Sequence, residues 1–241
     1  MADLYSNTND GRLLSSTTTW AGARDDVGAA SINTSSTSSA NFTAVNKFAS
    51  RGGGSSYRVE RSFMYFDTSG ITINVLDAKI KIRGVTANDG SIIAVKSTAF
   101  GGDGGTALNT ADINNIVGWS NGSACNGCTD YSNAILAGAW STSAYNTLIG
   151  TSDLKSDMKS EDVVIICFLD YTNDYQNLTP PGAGTANVGA YYTDYTGTSR
   201  DPYIEYTLGY GHEVNTVVGQ SIGRINGVAT SSIKDINTVD S

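Results

Sequence analysis

The sequence predicts an all-β protein built as a β-sandwich, and three observations predict it. Hydrophobic residues make up only 39% of the 241 residues, with 27 glycines and abundant Ser, Thr, Asn and Asp filling the difference; this is the composition of short strands joined by many turns. Period-two alternation recurs along the chain, whereas helical spacing is confined to short stretches. The length suits one large β domain or, at most, two small ones.

Residues 1–40 are small and polar apart from Leu4, Tyr5, Leu13, Leu14, Trp20 and Val27, and form either an N-terminal arm or a first pair of strands. The low-complexity run Ser31–Ser39 reads as a loop or an exposed strand. The sandwich body spans 41–210. Phe42, Ala44, Asn46 and Phe48 share one parity before Gly52, Gly53 and Gly54 break the element. Tyr57–Phe66 alternates strongly, with Tyr57, Val59, Phe63 and Tyr65 opposed to Arg58, Glu60 and Met64.

Asp67–Gly70 is a turn, and the long run Ile71–Val85 follows it with a phase shift near Asp77, which predicts a bulge or a change of sheet. Asn88-Asp89-Gly90 has the chemistry of a hairpin turn leading into Ser91–Lys96. Thr110–Val117 places Ile113, Ile116 and Val117 on one face of a short helix. Tyr131–Leu148 alternates loosely. The apolar run within Asp162–Asp170 predicts a central strand covered on both faces. Residues 171–202 read as a long loop rich in Tyr, Thr, Asn and Gly, and Pro202–Leu208 as the last strand of the body.

The segment 211–241 contains the sharpest internal regularity. Ile222, Ile225, Asn226 and Val228 recur eleven residues later as Ile233, Ile236, Asn237 and Val239. Two copies cannot bury a core of their own, so Ile222, Ile225, Val228, Ile233, Ile236 and Val239 are expected to dock on something already folded: this domain, a neighbouring copy or another protein.

The net charge of -8 repels phosphate backbones, and nucleic acid is not an expected partner. No window approaches the roughly 18 apolar residues of a membrane-spanning helix, and Met1–Tyr5 carries no basic, apolar leader, so export by the general secretory route is not expected. His212 is the only histidine, and no nucleophile elbow accompanies it; catalysis is not expected. Cys125 and Cys128 have zinc or redox spacing, but only Cys167 and His212 remain to complete four ligands. The alternatives are therefore free thiols, a local disulfide or, least favoured, zinc.

No cofactor is expected beyond one structural calcium ion, for which Asp67, Asp170, Asp174 and Asp194 would supply hard oxygens near strand ends. Tyr171, Tyr175, Tyr191, Tyr192 and Tyr195, with Tyr203, form the aromatic set. They either stack on sugar rings or anchor a partner, or they cover the ends of the sandwich.

Arg61, Phe63, Phe66, Asp67, Ser69 and Ile71, followed by Ala78, Ile80 and Ile82, resemble the opening of carbohydrate-binding-like jelly-roll domains of bacterial surface and bacteriophage proteins. The match covers the first half of the body, and Pro202–Tyr206 looks like the closing strand of such domains. The segment around Ile222-x-x-Ile225-Asn226-Gly227-Val228-Ala229 resembles repeats at the ends of tailed-phage virion proteins; the second copy departs from the pattern, with Thr238 in place of the glycine. The resemblance implies a jelly roll and a virion component, such as a decoration, head-fibre or tail-fibre subunit, whose partners are other virion proteins, copies of itself and a host surface glycan. It transfers no sugar-binding residues.

Overall fold

The computed structural model describes residues 1–29, 31–33, 40–49, 54–193, 197–209, 224–225 and 228–229, the last two pairs and residues 40–41 as backbone. The chain is an antiparallel β-sandwich. Its front sheet has the order β1 (Ala2–Tyr5), β11 (Tyr203–Leu208), β6 (Val75–Asn88), β8 (Tyr145–Ile149). In the back sheet, β5 (Ser55–Asp67) pairs with β9 (Val163–Leu169), which pairs with β7 (Ile93–Lys96). Bridges from Val95 to Asp130 and from Ile92 to Ile135 add the segment 130–135 beyond β7.

From β5 to β9 the chain alternates between the sheets. Together with the order 1–11–6–8 opposite 5–9–7, this is jelly-roll winding. The back sheet is widened by β2 (Gly11–Thr17), which pairs with β5 and with β3 (Ser31–Asn33), and by β4 (Ala40–Ala49), which joins β5 to β10 (Gly184–Ala190). Residues 2–5 and 11–17 are therefore hydrogen-bonded strands of the sandwich.

The phase shift near Asp77 is a β-bulge: Thr207 pairs with Asp77 and Leu208 with Val75, leaving Leu76 without an opposite residue. A second irregularity occurs where β6 leaves the front sheet, because residues 84–87 pair with β10 in the back sheet. Glycine is required there, since a Cβ on Gly84 would lie 1.9 Å from the Ser141 carbonyl oxygen.

Three expectations are corrected. Asn88-Asp89-Gly90 does not close a hairpin; the chain has already crossed to the back sheet at Gly84, and after the turn, with Asp89 at φ 47°, β7 pairs with β9. The strand after Asp67–Gly70 begins at Val75 rather than at Ile71. Residues 171–202 are not one loop, because β10 lies inside them; its Gly-Thr-Ala-Asn-Val-Gly-Ala composition hides an interior strand pinned on both sides.

The main core fills the space between the sheets, with Ala78, Ile80 and Ile82 of β6 facing Met64 and Phe66 of β5 and Val164, Ile166 and Phe168 of β9. Helix α2 (Ser152–Ser160), capped by Thr151 Oγ1, adds Leu154 and Met158 from one face, as their i, i+4 spacing requires. The opposite face of the back sheet is also covered. Phe63, Ile93, Val95, Ile165, Cys167 and Leu169 pack beneath Phe100, Leu108, Ile113, Ile116 and Cys125 of an irregular layer. Strand β9 is thus central and covered on both faces. The predicted helix after Thr110 is a 3-10 turn, Thr110–Asn114, capped by Asn109. A short helix α1 (Trp20–Arg24), capped by Thr19, packs Trp20 and Ala23 on Val45 and Val59.

Candidate functional site

The chain leaves β9 through Asp170, whose carboxylate accepts hydrogen bonds from Asn173 N at 2.7 Å, Ser91 N at 3.1 Å and Ser91 Oγ at 3.0 Å. Burial pushes the Asp170 carboxyl pKa up, against the pull of these donors. The bonds organise a single π-helical turn, Tyr171–Tyr175, on which Tyr171 and Tyr175 stack with ring centroids 5.3 Å apart. Both rings pack against the irregular layer, and Tyr175 Oη donates toward the Asp130 carboxylate at 3.0 Å.

The other tyrosines of the expected aromatic set lie elsewhere. Tyr191 stands at the end of β10; its hydroxyl accepts from Arg200 Nη1 at 2.7 Å, and the same guanidinium lies 4.7 Å over its ring. Tyr192 is a correction: it is fully buried in the sandwich core, 5.3 Å from the Phe42 ring and hydrogen-bonded to Ser62 Oγ, so it offers no face to a glycan. Tyr195 lies outside the described residues. Tyr203 belongs to a different group on the outer face of the front sheet, 5.5 Å from Tyr5 and 5.2 Å from Tyr145. Tyr5 is 41% exposed, and burial with neighbouring phenol and carboxyl groups pushes the Tyr145 pKa up to about 12.

The aspartates do not form a calcium cage. Asp67 flanks the start of β9 and binds its own turn through Ser69, which holds its carboxyl below the ordinary value. Asp170 follows the far end of the same strand, on the order of 20 Å away at the usual rise per residue. Asp174 has both oxygens engaged by Arg61, and Asp194 lies outside the described residues. Among the described residues, no group of three or more His, Cys, Asp or Glu side chains is placed to hold a metal ion.

Among the described residues, a cluster of charge is buried between the back sheet and the irregular layer. Arg61 Nε and Nη2 donate to the two Asp174 oxygens, each at 2.7 Å. Its remaining donors reach Ile113 O at 2.7 Å, Arg24 O at 2.8 Å and the Asn114 side chain. Arg24 Nε donates to Asp174 O at 2.7 Å and its Nη1 to Asp25 at 2.8 Å, while its Nη2 is buried without an acceptor. Both guanidinium groups stack on Trp119, at 4.1 and 4.2 Å from the ring centroid. Burial alone would lower the Arg61 pKa, but attraction and hydrogen bonding to Asp174 outweigh it and hold it above the ordinary value. The two arginine side chains join α1, β5, the 3-10 turn and the π-turn, reaching backbone carbonyls as well as the Asp174 carboxylate.

Sequence reasoning missed this cluster, although one signal was present. Arg61 occupies the same parity as Val59, Phe63 and Tyr65, so a lone charge sits on a face otherwise built for burial. Its partner 113 residues away had no local signature.

All three cysteines are free thiols. Cys167 is fully buried and its pKa is pushed well up by desolvation. Each of the Cys125 and Cys128 thiols shifts the other, the pKa of the first being pushed up and that of the second down. His212 lies outside the described residues.

Of the expected docking positions, Ile222, Ile233, Ile236 and Val239 lie outside the described residues. Ile225 and Val228 are paired antiparallel through their backbones, with Arg224 opposite Ala229. Comparison with known protein families and with curated proteins finds no match to this chain.

Proposed function

We propose that this chain is a non-enzymatic structural component of a bacteriophage particle, a decoration, head-fibre or tail-fibre subunit. Its jelly roll is a stable display or spacer body, and the segment 211–241 attaches it to other virion proteins or to copies of itself. The observation that carries this reading is the division between the two parts. Among the described residues, the last to reach the sandwich core are Ile204 and, packed against it, Leu208 of β11, and the repeated Ile/Val positions follow them in sequence. The Ile225–Val228 pair supports attachment through backbone pairing as well as apolar contact. Several perturbed ionisable groups of the body are engaged in bonds between its own elements: Arg61 with Asp174, Asp170 with Ser91, Tyr131 with Asp157. This is the behaviour of a scaffold held rigid from within.

Cryo-electron microscopy of native particles tests the proposal. Density for residues 211–241 against another virion protein or a symmetry-related copy is expected. An arm folded onto its own sandwich in the particle would overturn it.

A second reading, host adhesion through a surface glycan, is favoured by one observation: the Tyr5, Tyr203 and Tyr145 group on the outer face of the front sheet, bordered by Asp3, Glu205, Lys79 and Lys81. It predicts glycan affinity that falls about fivefold in Tyr5→Ala, the loss of one stacked ring being worth about 1 kcal/mol. Equal affinity in the variant would remove this face from consideration.

A further inference from the structure

The irregular layer carries a reactive group that the structural role does not use. Cys125, Asn126, Gly127 and Cys128 form a turn closed by a hydrogen bond from Cys128 N to Cys125 O at 2.9 Å. A turn closed in this way keeps its end Cα atoms within roughly 7 Å, inside or close to the range that a disulfide bridges.

The turn is fixed from both sides. Cys125 N donates to Tyr175 O at 2.8 Å, and Thr129 N donates to Val117 O at 3.3 Å. Gly118, at φ 82°, lies so close that an added Cβ would come 1.8 Å from Gly127 O. The backbone therefore holds the two cysteines at a spacing that a disulfide can span.

The pair is also asymmetric in the way exchange chemistry requires. Cys125 is 2% exposed, whereas Cys128 is partly open to solvent. The Cys125 thiol, with Arg24 and Arg61 held nearby on Trp119, favours a thiolate at Cys128 against burial and the Asp130 carboxylate.

We propose that Cys125 and Cys128 are a thiol-oxidation site, forming a reversible disulfide within the turn by exchange with a small-molecule disulfide such as oxidised glutathione. The Cys128 thiolate attacks one sulfur of the small disulfide, whose S–S bond breaks and whose other half leaves as a thiol after taking a proton. Cys125 then loses its proton and attacks the Cys128 sulfur of the mixed disulfide, releasing the second thiol. The protein becomes two hydrogens lighter, and the small disulfide is reduced to two thiols. In a reducing cytoplasm the pair stays as thiols, and in an oxidising medium it closes. Cys167, fully buried on β9, takes no part.

The test is incubation of the folded full-length chain with oxidised and reduced glutathione over a range of ratios, followed by acid quench, intact mass and peptide mapping. The expected product is two hydrogens lighter, with Cys125 linked to Cys128 and Cys167 alkylated only after denaturation. In Cys125→Ser, a single glutathione is expected to remain on Cys128. In the reduced native chain, Cys128 is expected to react with iodoacetamide at least about tenfold faster than Cys167. Three free thiols at every ratio would overturn the proposal, as would a linkage that includes Cys167, oxidation only in urea, or failure of Cys125→Ser to take the adduct.

Discussion

The two faces of the back sheet are both buried, but by different chemistry. Its inner face meets the front sheet through apolar side chains such as Met64, Phe66, Ile166 and Phe168, which alternate along their strands. Its outer face is covered by residues 99–128, whose apolar contacts are supplemented by an ion pair, two stacked guanidinium groups and a carboxylate with no exposure. A layer without regular strands has few ladder hydrogen bonds of its own, and here Arg61 of the ordered sheet satisfies the Ile113 carbonyl group. The inner interface is therefore general and tolerant, while the outer one depends on particular partners.

The largest effects should come from breaking each interface in turn. Phe168→Ala, which removes a ring packed 4.8 Å from Phe42, is expected to cost about 3–5 kcal/mol and to lower the cooperative urea midpoint of the whole body. Arg61→Met leaves Asp174 buried without its main partner and is expected to cost a similar ~3–5 kcal/mol. The two variants should differ in hydrogen exchange: Phe168→Ala speeds exchange throughout, Arg61→Met first in 99–128. Adding Asp174→Leu to Arg61→Met should recover much of the loss, because an apolar pair replaces an ion pair at little net cost. Loss of the same size in the double variant would mean that the layer needs the shape of the cluster rather than its charge balance.

A smaller and more distributed effect concerns alkaline pH. Burial raises the phenol pKa of Tyr131, Tyr145, Tyr175, Tyr192 and Tyr203, with Tyr145 reaching about 12. The folded chain then holds protons that the unfolded chain releases near pH ~10. Stability from this source is complete below that value and falls as pH rises through the folded values. Tyrosinate absorbance should therefore appear together with unfolding rather than ahead of it. Ionisation of these residues near their ordinary value in a chain that remains folded would contradict their placement.

The inner face was the legible one. Alternation in Tyr57–Phe66 and in Val75–Ile82, and the unbroken run Val163–Leu169, located the strands that build the main core, and the phase shift at Asp77 located a bulge. These signals are local, because a strand's burial pattern is written at period two in its own residues. β10 escaped because its glycines, alanines and threonine carry little hydrophobic signal, and its position is fixed by β4 and β6 on either side. The turn at Asn88–Gly90 was recognised as a turn, but turn chemistry does not specify which strand pairs next.

The candidate site was far less legible. Tyr171, Tyr175, Tyr191 and Tyr192 are near one another in sequence, yet they serve the irregular layer, an Arg200 contact and the sandwich core. The Arg61–Asp174 pair joins positions whose partnership exists only in the folded chain.

The most direct measurement of the proposed division between a rigid body and an attaching arm is a paired readout on the full-length Ile225→Asp/Ile236→Asp variant: thermal unfolding of the purified protein, and its incorporation into particles against wild type. The account predicts an unchanged melting transition of the sandwich and incorporation reduced at least about tenfold, since burying two carboxylates in an apolar contact costs several kcal/mol. Normal incorporation would contradict attachment through the arm, and a collapsed melting transition would show that these positions belong to the body instead.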